Sequence, residues 1–270
     1  MSVQTLYTAA TGMQSLQTKL NVIANNLANV NTIGFKRGNA NFEDLFYRHE
    51  KLPGAQDSTG QLTPTGISVG LGSRVSSIQT DYSQGAFRST NDQLDIAIEG
   101  NGFFQVLDPS TGANVYTRAG NFSINSTGQL VLGSAHTGRI VQPSINFPPD
   151  ATQISISPEG IVEYRQPNNP TLVQAGTIEL ANFINPEGLL KLGENLFAQT
   201  SASGTATQNL PGASGSGLGI LRQGAQEASN VEPVEELIDL ITTQRSFELN
   251  SQAVQAGDQV LQLISNLRRF

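Results

Sequence analysis

Cysteine is absent from the 270 residues, and the only histidines are His49 and His136. There is thus no thiol nucleophile, no disulfide framework and no Cys-based metal site. Neither histidine has the spacing of a zinc site or of a Ser-His-Asp arrangement, and HExxH, Walker A and GxSxG do not occur. The sequence therefore predicts no catalytic, cofactor-binding or metal-ligating residues and no cofactor. An enzyme would have to work through His49 or His136. The run Glu99-Gly100-Asn101-Gly102-Phe103-Phe104 carries two glycines before a predicted strand. A nucleotide-binding loop needs them after a strand and at the start of a helix, so this run reads as a turn or bulge feeding a buried strand. Thr117-Arg118-Ala119-Gly120 could present Arg118 to a partner, but an arginine at a strand end is more often a hydrogen-bonded structural residue. Asn121-Phe-Ser and Asn125-Ser-Thr match the N-glycosylation pattern, which is short enough to arise by chance.

The elements around these residues carry more information. Hydrophobic residues make up 37% of the chain, enough to bury real cores, while charged residues make up only 14% and the net charge is -7. The charge argues against a nucleic-acid or anionic-membrane partner, since counterion release needs clustered Lys and Arg. A polar, weakly charged surface suits copies that pack on one another, because a repeated surface charge meets its own sign, and it equally suits an extracellular β protein. No window approaches the length of a membrane span. The first 30 residues contain Asn21, Asn25, Asn26 and Asn29 among apolar positions, unlike the apolar stretch of a cleaved secretory signal.

From Leu6 onward apolar residues alternate at steps of three and four: Leu6, Ala9, Met13, Leu16, Leu20, Ile23, Leu27 and Val30. This heptad seam predicts a helix over about Val3 to Asn29, ended by Asn31, Thr32 and Gly34. A second helix is predicted from Pro233 to the end of the chain. Glu232, Glu235, Glu236 and Asp239 lie near its positive end and Arg268 and Arg269 near its negative end. Its apolar positions include Val234, Leu237, Leu240, Ile241, Phe247, Val254, Leu261 and Ile264, broadened by Ile238, Val260, Leu263 and Leu267. Periodicity does not decide whether these helices cover each other or meet neighbouring copies.

Between them the texture changes to short runs bounded by turn residues. Strands are predicted at Leu94 to Ile98, Phe103 to Leu107, Val115 to Thr117, Gln129 to Leu132, Gln153 to Ser157, Ile161 to Tyr164 and Thr177 to Ala181. Short turns such as Asp108-Pro109-Ser110-Thr111-Gly112 make the pairing antiparallel, as a sandwich or barrel-like body. Pro53 to Gly66 and Ser201 to Gly219 are poor in apolar residues and read as a linker or arm and as a flexible surface loop. The fold class is α+β, with terminal helices forming a coiled-coil assembly domain around a central, mainly antiparallel β domain. Segments are expected at 1–36 (helical), 37–70 (arm), 71–224 (β-rich) and 225–270 (helical).

The segment Ile23-Ala24-Asn25-Asn26-Leu27-Ala28-Asn29-Val30-Asn31-Thr32-Ile33-Gly34-Phe35-Lys36-Arg37 closely resembles the N-terminal signature of flagellar rod and hook proteins. Asn25, Asn26, Leu27, Asn29, Thr32, Gly34 and Phe35 carry it. Ser229-Asn230-Val231-Glu232, Gln244-Arg245 and Phe247-Glu248-Leu249-Asn250 are similar to that family's C-terminal helix, and Leu94 to Phe104 and Tyr116 to Gly120 to its β-domain motifs. Length and Phe42-Glu43-Asp44-Leu45-Phe46-Tyr47, followed by Pro53-Gly54-Ala55-Gln56, are most like the distal-rod members. The resemblance implies a homo-oligomeric helical polymer in the basal body, with the terminal helices inside, the β domain outside and Leu45 to Gly66 in an arm that stiffens the rod. It implies type III export without a cleaved signal, and partners among proximal-rod, hook or junction and ring proteins and the export apparatus. The seam expected to drive assembly is Leu6, Met13, Leu16, Leu20, Ile23, Leu27, Val30, Leu237, Leu240, Phe247, Val254, Leu261 and Ile264. Another axial subunit such as the proximal rod, and a secreted β-domain adhesin or carbohydrate-binding module, remain the alternatives.

Overall fold

A computed structural model describes residues 3–54, 56, 61, 62, 64–133, 137–167 and 169–267, without the side chains of Val3, Asn169, Pro170 and Leu267. His136, Arg268, Arg269 and part of the 53–66 stretch lie outside the described residues. The chain forms two compact units. One is built from the residues up to Ala28, Gly38–Thr80 and the residues from Glu232 onward; the other from Asn29–Arg37 and Asp81–Val231.

The helical unit contains α1 (Val3–Ala28) and α2 (Pro233–Leu267). No proline interrupts either helix after Pro233, which sits at the start of α2 where its missing N–H costs nothing. Glu235 and Glu236 lie in the first turn of α2, on the positive end of its dipole. Two antiparallel strand pairs complete the unit: Gly38–Asp44 with Ser73–Thr80, and Tyr47–Lys51 with Ile67–Gly70. The first pair packs against α1, where the Ser15 hydroxyl donates to the Ser73 carbonyl at 3.3 Å. Its strands have mixed polar sequences, which hid them in the sequence because only one face is covered.

The β unit is organised around a nine-stranded antiparallel sheet with Phe103–Leu107 at its centre. That strand pairs with Asn114–Thr117 on one side, and on the other with Leu180–Asn182 and Ile140–Val141 in succession. Both faces of the sheet are covered. Phe104, Val106, Val115, Leu180 and Leu196 enter one core, while Phe103, Tyr116, Ala181 and Phe197 enter a second, largely aromatic one. Neighbouring residues along a strand point to opposite faces. This is why runs such as Phe103-Phe104 and Leu196-Phe197 look uninterrupted rather than alternating. A three-stranded sheet of Gln153–Ile156, Ile161–Gln166 and Asn169–Thr177 adds Ile156 and Val162 to the first core.

Two expectations are corrected here. The single strand expected at Thr177 to Ala181 is the end of one strand, at Thr177, and the start of another, at Leu180. Between them the fully buried Ile178 turns its N–H to the Gly160 carbonyl at 2.7 Å, and the chain changes sheet. Period-two patterning is blind to that change. The 201–219 stretch, expected to be a flexible loop, contains a strand, Thr207–Asn209, paired with Leu180–Asn182. Its short polar side chains bind local backbone: Ser203 is fully buried and donates to the Thr200 carbonyl at 2.9 Å. Low apolar content here reflects turn chemistry, not looseness.

Candidate assembly surface

α1 and α2 pack side by side as an antiparallel pair. A methyl group placed on Gly257 would meet the Leu6 side chain at 2.8 Å, and one on Gly12 would meet the Asn250 amide at 3.3 Å. At the other end Asn26 Nδ2 lies 3.2 and 3.3 Å from the two carboxylate oxygens of Glu236. The face of α2 turned to α1 is Glu236, Leu240, Thr243, Phe247, Asn250, Val254, Gly257 and Leu261, which apart from Ser251 are its least exposed described side chains. The steps between them alternate four and three, so large apolar residues take every second position and polar or small ones the rest. Gly257 makes room for Leu6, and Thr243 is buried.

The residues of the expected seam fall into three groups. Ile23 is buried, while Leu6, Met13, Leu16, Leu20 and Leu27 on α1 and Leu240, Phe247, Val254 and Leu261 on α2 are half-buried. Leu237 and Ile264 are exposed, at 45% and 55%, and lie outside the inward set. Val30 falls in the turn after α1 and belongs to the β unit. Exposed with Leu237 and Ile264 are Val234, Ile238, Ile241, Leu249, Val260 and Leu263, so α2 carries a second apolar stripe that α1 does not cover. Leu6, Tyr7, Ala10, Met13, Val254, Gln255 and Asp258 line an open, mainly apolar hollow at the far end of the pair.

The signature residues do structural work in both units. Asn26 is buried, and its side chain both donates to and accepts from the backbone of Gly38 at 2.9 Å while reaching Glu236. One amide thus joins the end of α1, the first strand and the first turn of α2. Asn25 is exposed and Leu27 half-buried on the same helix end. The other signature residues lie in the β unit. Thr32 donates its hydroxyl to Asn29 Oδ1 at 3.1 Å, closing the turn, and Phe35 lies beneath Lys191 at 5.8 Å. Gly34 has φ +67, and a Cβ there would sit 2.8 Å from the backbone of Arg118 and Ala119, so only glycine fits.

Periodicity gave no sign of the charge cluster beneath that turn. Lys36 Nζ lies 2.7 Å from Glu227 Oε1 and Arg118 Nη1 lies 3.3 Å from Glu227 Oε2, with all three side chains buried. Lys36 also donates to the Ser83 carbonyl at 2.7 Å, and Arg118 to the Gly100 carbonyl at 2.8 Å. Burial, more than the nearby Arg118 charge, pulls the Lys36 ammonium below its ordinary range, and Glu227 acts against both. Arg118 is therefore a structural residue and not a presented one. A lysine between Phe35 and Arg37 was the only local hint, and its partner is 191 residues away. His49 lies exposed on Tyr47–Lys51, beside Glu43, Asp44 and Arg74. Among the described residues no cluster of His, Asp and Glu is placed to hold a metal ion, and no helix is long and apolar enough to cross a membrane.

Three family models match the chain: a flagella basal body rod protein model at residues 6–36, a flagellar hook protein FlgE/F/G D1 domain model at 97–164, and a flagellar basal body rod FlgEFG protein C-terminal model at 222–267. The flagellar basal-body rod protein FlgG of Caulobacter vibrioides is 46% identical over 267 residues, covering 98% of this chain and 100% of the relative. The chain belongs to the FlgG family of flagellar basal-body rod proteins. Its FlgG relative in Buchnera aphidicola subsp. Baizongia pistaciae is 44% identical over 98% of the chain, and the FlgG of Bacillus subtilis 38% identical over 99%, each covered in full. The two terminal matches contain most of α1 and all of α2, and the D1 match covers the centre of the β unit.

Proposed function

We propose that the chain is a non-enzymatic structural subunit of the bacterial flagellar distal rod. It self-assembles through its helical unit into a rigid helical tube that carries torque from motor to hook. The observation that carries this reading is the uncovered apolar stripe on α2 within a chain similar to FlgG over nearly its whole length. Covering the exposed part of each of these side chains would contribute about 1 kcal/mol. A contact between unlike faces that does not close into a ring propagates as a helical filament. In this reading the helix pair and its seam form a coiled-coil assembly domain, the β unit faces outward, and the 45–66 stretch serves as a stiffening arm. The subunit is exported to the periplasm-spanning rod. There it meets its own copies, proximal-rod and hook or junction proteins, surrounding ring proteins and the export apparatus.

The test is Ile241→Asp, which places a charge on the stripe at an exposed position. The variant should stay folded as a monomer, with unchanged circular dichroism and melting, yet form no rods by electron microscopy and fail to restore swimming to cells lacking the wild-type subunit. Rods built normally by this variant would refute the stripe as the assembly surface. Deleting 45–66 separates the distal from the proximal rod: bent or loosened rods are expected of a distal subunit, and a block to export would count against it.

A further inference from the structure

The chain passes between the two units at four peptide junctions: Ala28 to Asn29, Arg37 to Gly38, Thr80 to Asp81 and Val231 to Glu232. On the β-unit side, one side chain gathers three of them. Asn230 Oδ1 accepts from the Arg37 N–H at 2.8 Å, while Asn230 Nδ2 donates to the Asp81 carbonyl at 2.9 Å and reaches the carbonyl and hydroxyl of Ser83 at 3.3 and 3.1 Å. Arg37 and Asp81 are also joined directly, the Asp81 N–H donating to the Arg37 carbonyl at 2.8 Å. Ser83 is held in turn by Lys36 Nζ, itself tied to Glu227.

An asparagine amide has an acceptor end and a donor end on one short stem, and this position uses both. Aspartate has the shape without the donor, and alanine has neither. We infer that Asn230 is a positioning residue that makes the three exits from the β unit one rigid cluster, so that load passing along the chain meets no slack there. The stiffness of the assembled rod then depends on a single amide.

Hydrogen exchange on the full-length monomer tests the clasp. In Asn230→Ala the Arg37 amide, which loses its acceptor, should exchange about tenfold faster, the effect of losing one ordinary hydrogen bond, while Phe103–Leu107 stays protected. In Asn230→Asp the Arg37 amide, still accepted by the carboxylate, should not speed up. Unchanged exchange at the Arg37 amide in Asn230→Ala, or acceleration that extends to Phe103–Leu107, overturns the inference. The second readout rests on the rod reading: rods of Asn230→Ala should form but curve more than wild-type rods in electron micrographs. Equally straight variant rods overturn the positioning role. Failure of the wild-type chain to build rods would sink the functional reading instead, leaving the exchange result to decide the clasp.

Discussion

The two units spend their apolar residues in opposite ways. Among the described residues the buried apolar side chains lie almost entirely in the β unit; only Ile23 and Ala40 belong to the helical unit. The exposed large apolar residues are distributed the other way, from Tyr7, Phe42 and Phe46 to the stripe on α2. The β unit closes two cores from its own strands, with Ile96, Phe104, Leu130 and Leu180 wholly inaccessible. The helical unit has helix length and register but leaves much of its apolar surface wet. One unit is finished as a monomer; the other is shaped for a partner.

The comparison makes predictions of graded size. Glu227→Gln would leave Lys36 and Arg118 buried without a counter-charge and should destabilise the β unit by about 3–5 kcal/mol in urea denaturation. A much smaller loss would mean the cluster is not part of that unit's closed interior. Phe104→Ala should cost a similar ~3–5 kcal/mol, whereas Phe247→Ala, at a half-buried position, should cost roughly 1–2 kcal/mol in the monomer and leave the β unit's near-ultraviolet signal intact. Equal losses for the two phenylalanines would erase the distinction between a finished and an unfinished interior.

Asn26→Asp would set a second buried carboxylate beside Glu236. Two like charges raise the pKa of one group above its unfolded value, so the cost is present at neutral pH and is relieved as pH falls through that raised pKa. Helical circular dichroism should therefore be depressed by a loss of about 1–3 kcal/mol at neutral pH and recover on mild acidification. No recovery would mean that Asn26 and Glu236 do not share a site. Smallest of all, Ile241→Asp should change monomer stability by no more than ~0.5 kcal/mol. A larger loss would show that the α2 stripe is already covered within one chain.

Both helices and the central strand were legible because each declares itself locally. The acidic start of α2, the uninterrupted heptads of α1 and the aromatic density of Phe103–Leu107 all act over a few residues. The α+β class with a central antiparallel domain followed from them. What escaped depends on distant partners. Gly38–Asp44 and Ser73–Thr80 are polar strands that make sense only once α1 covers one face, and Lys36 becomes intelligible only beside Glu227. The Asn-rich signature was recognisable as a pattern, but its chemistry was not: Asn26 is a three-way clamp within the helical unit, whereas Gly34 is a steric necessity in the β unit. Neither role can be inferred from spacing.

The interleaved composition of the helical unit also imposes a sequence of events. Synthesis runs from α1 towards α2, so every residue of the β unit, ending at Val231, exists before the first residue of α2 is made. The β unit can be finished while α1 still lacks its mate. α2 thus sets the order in which the helical unit is put together: until it is made, α1 has no helix to pair with and the exposed apolar stripe does not exist.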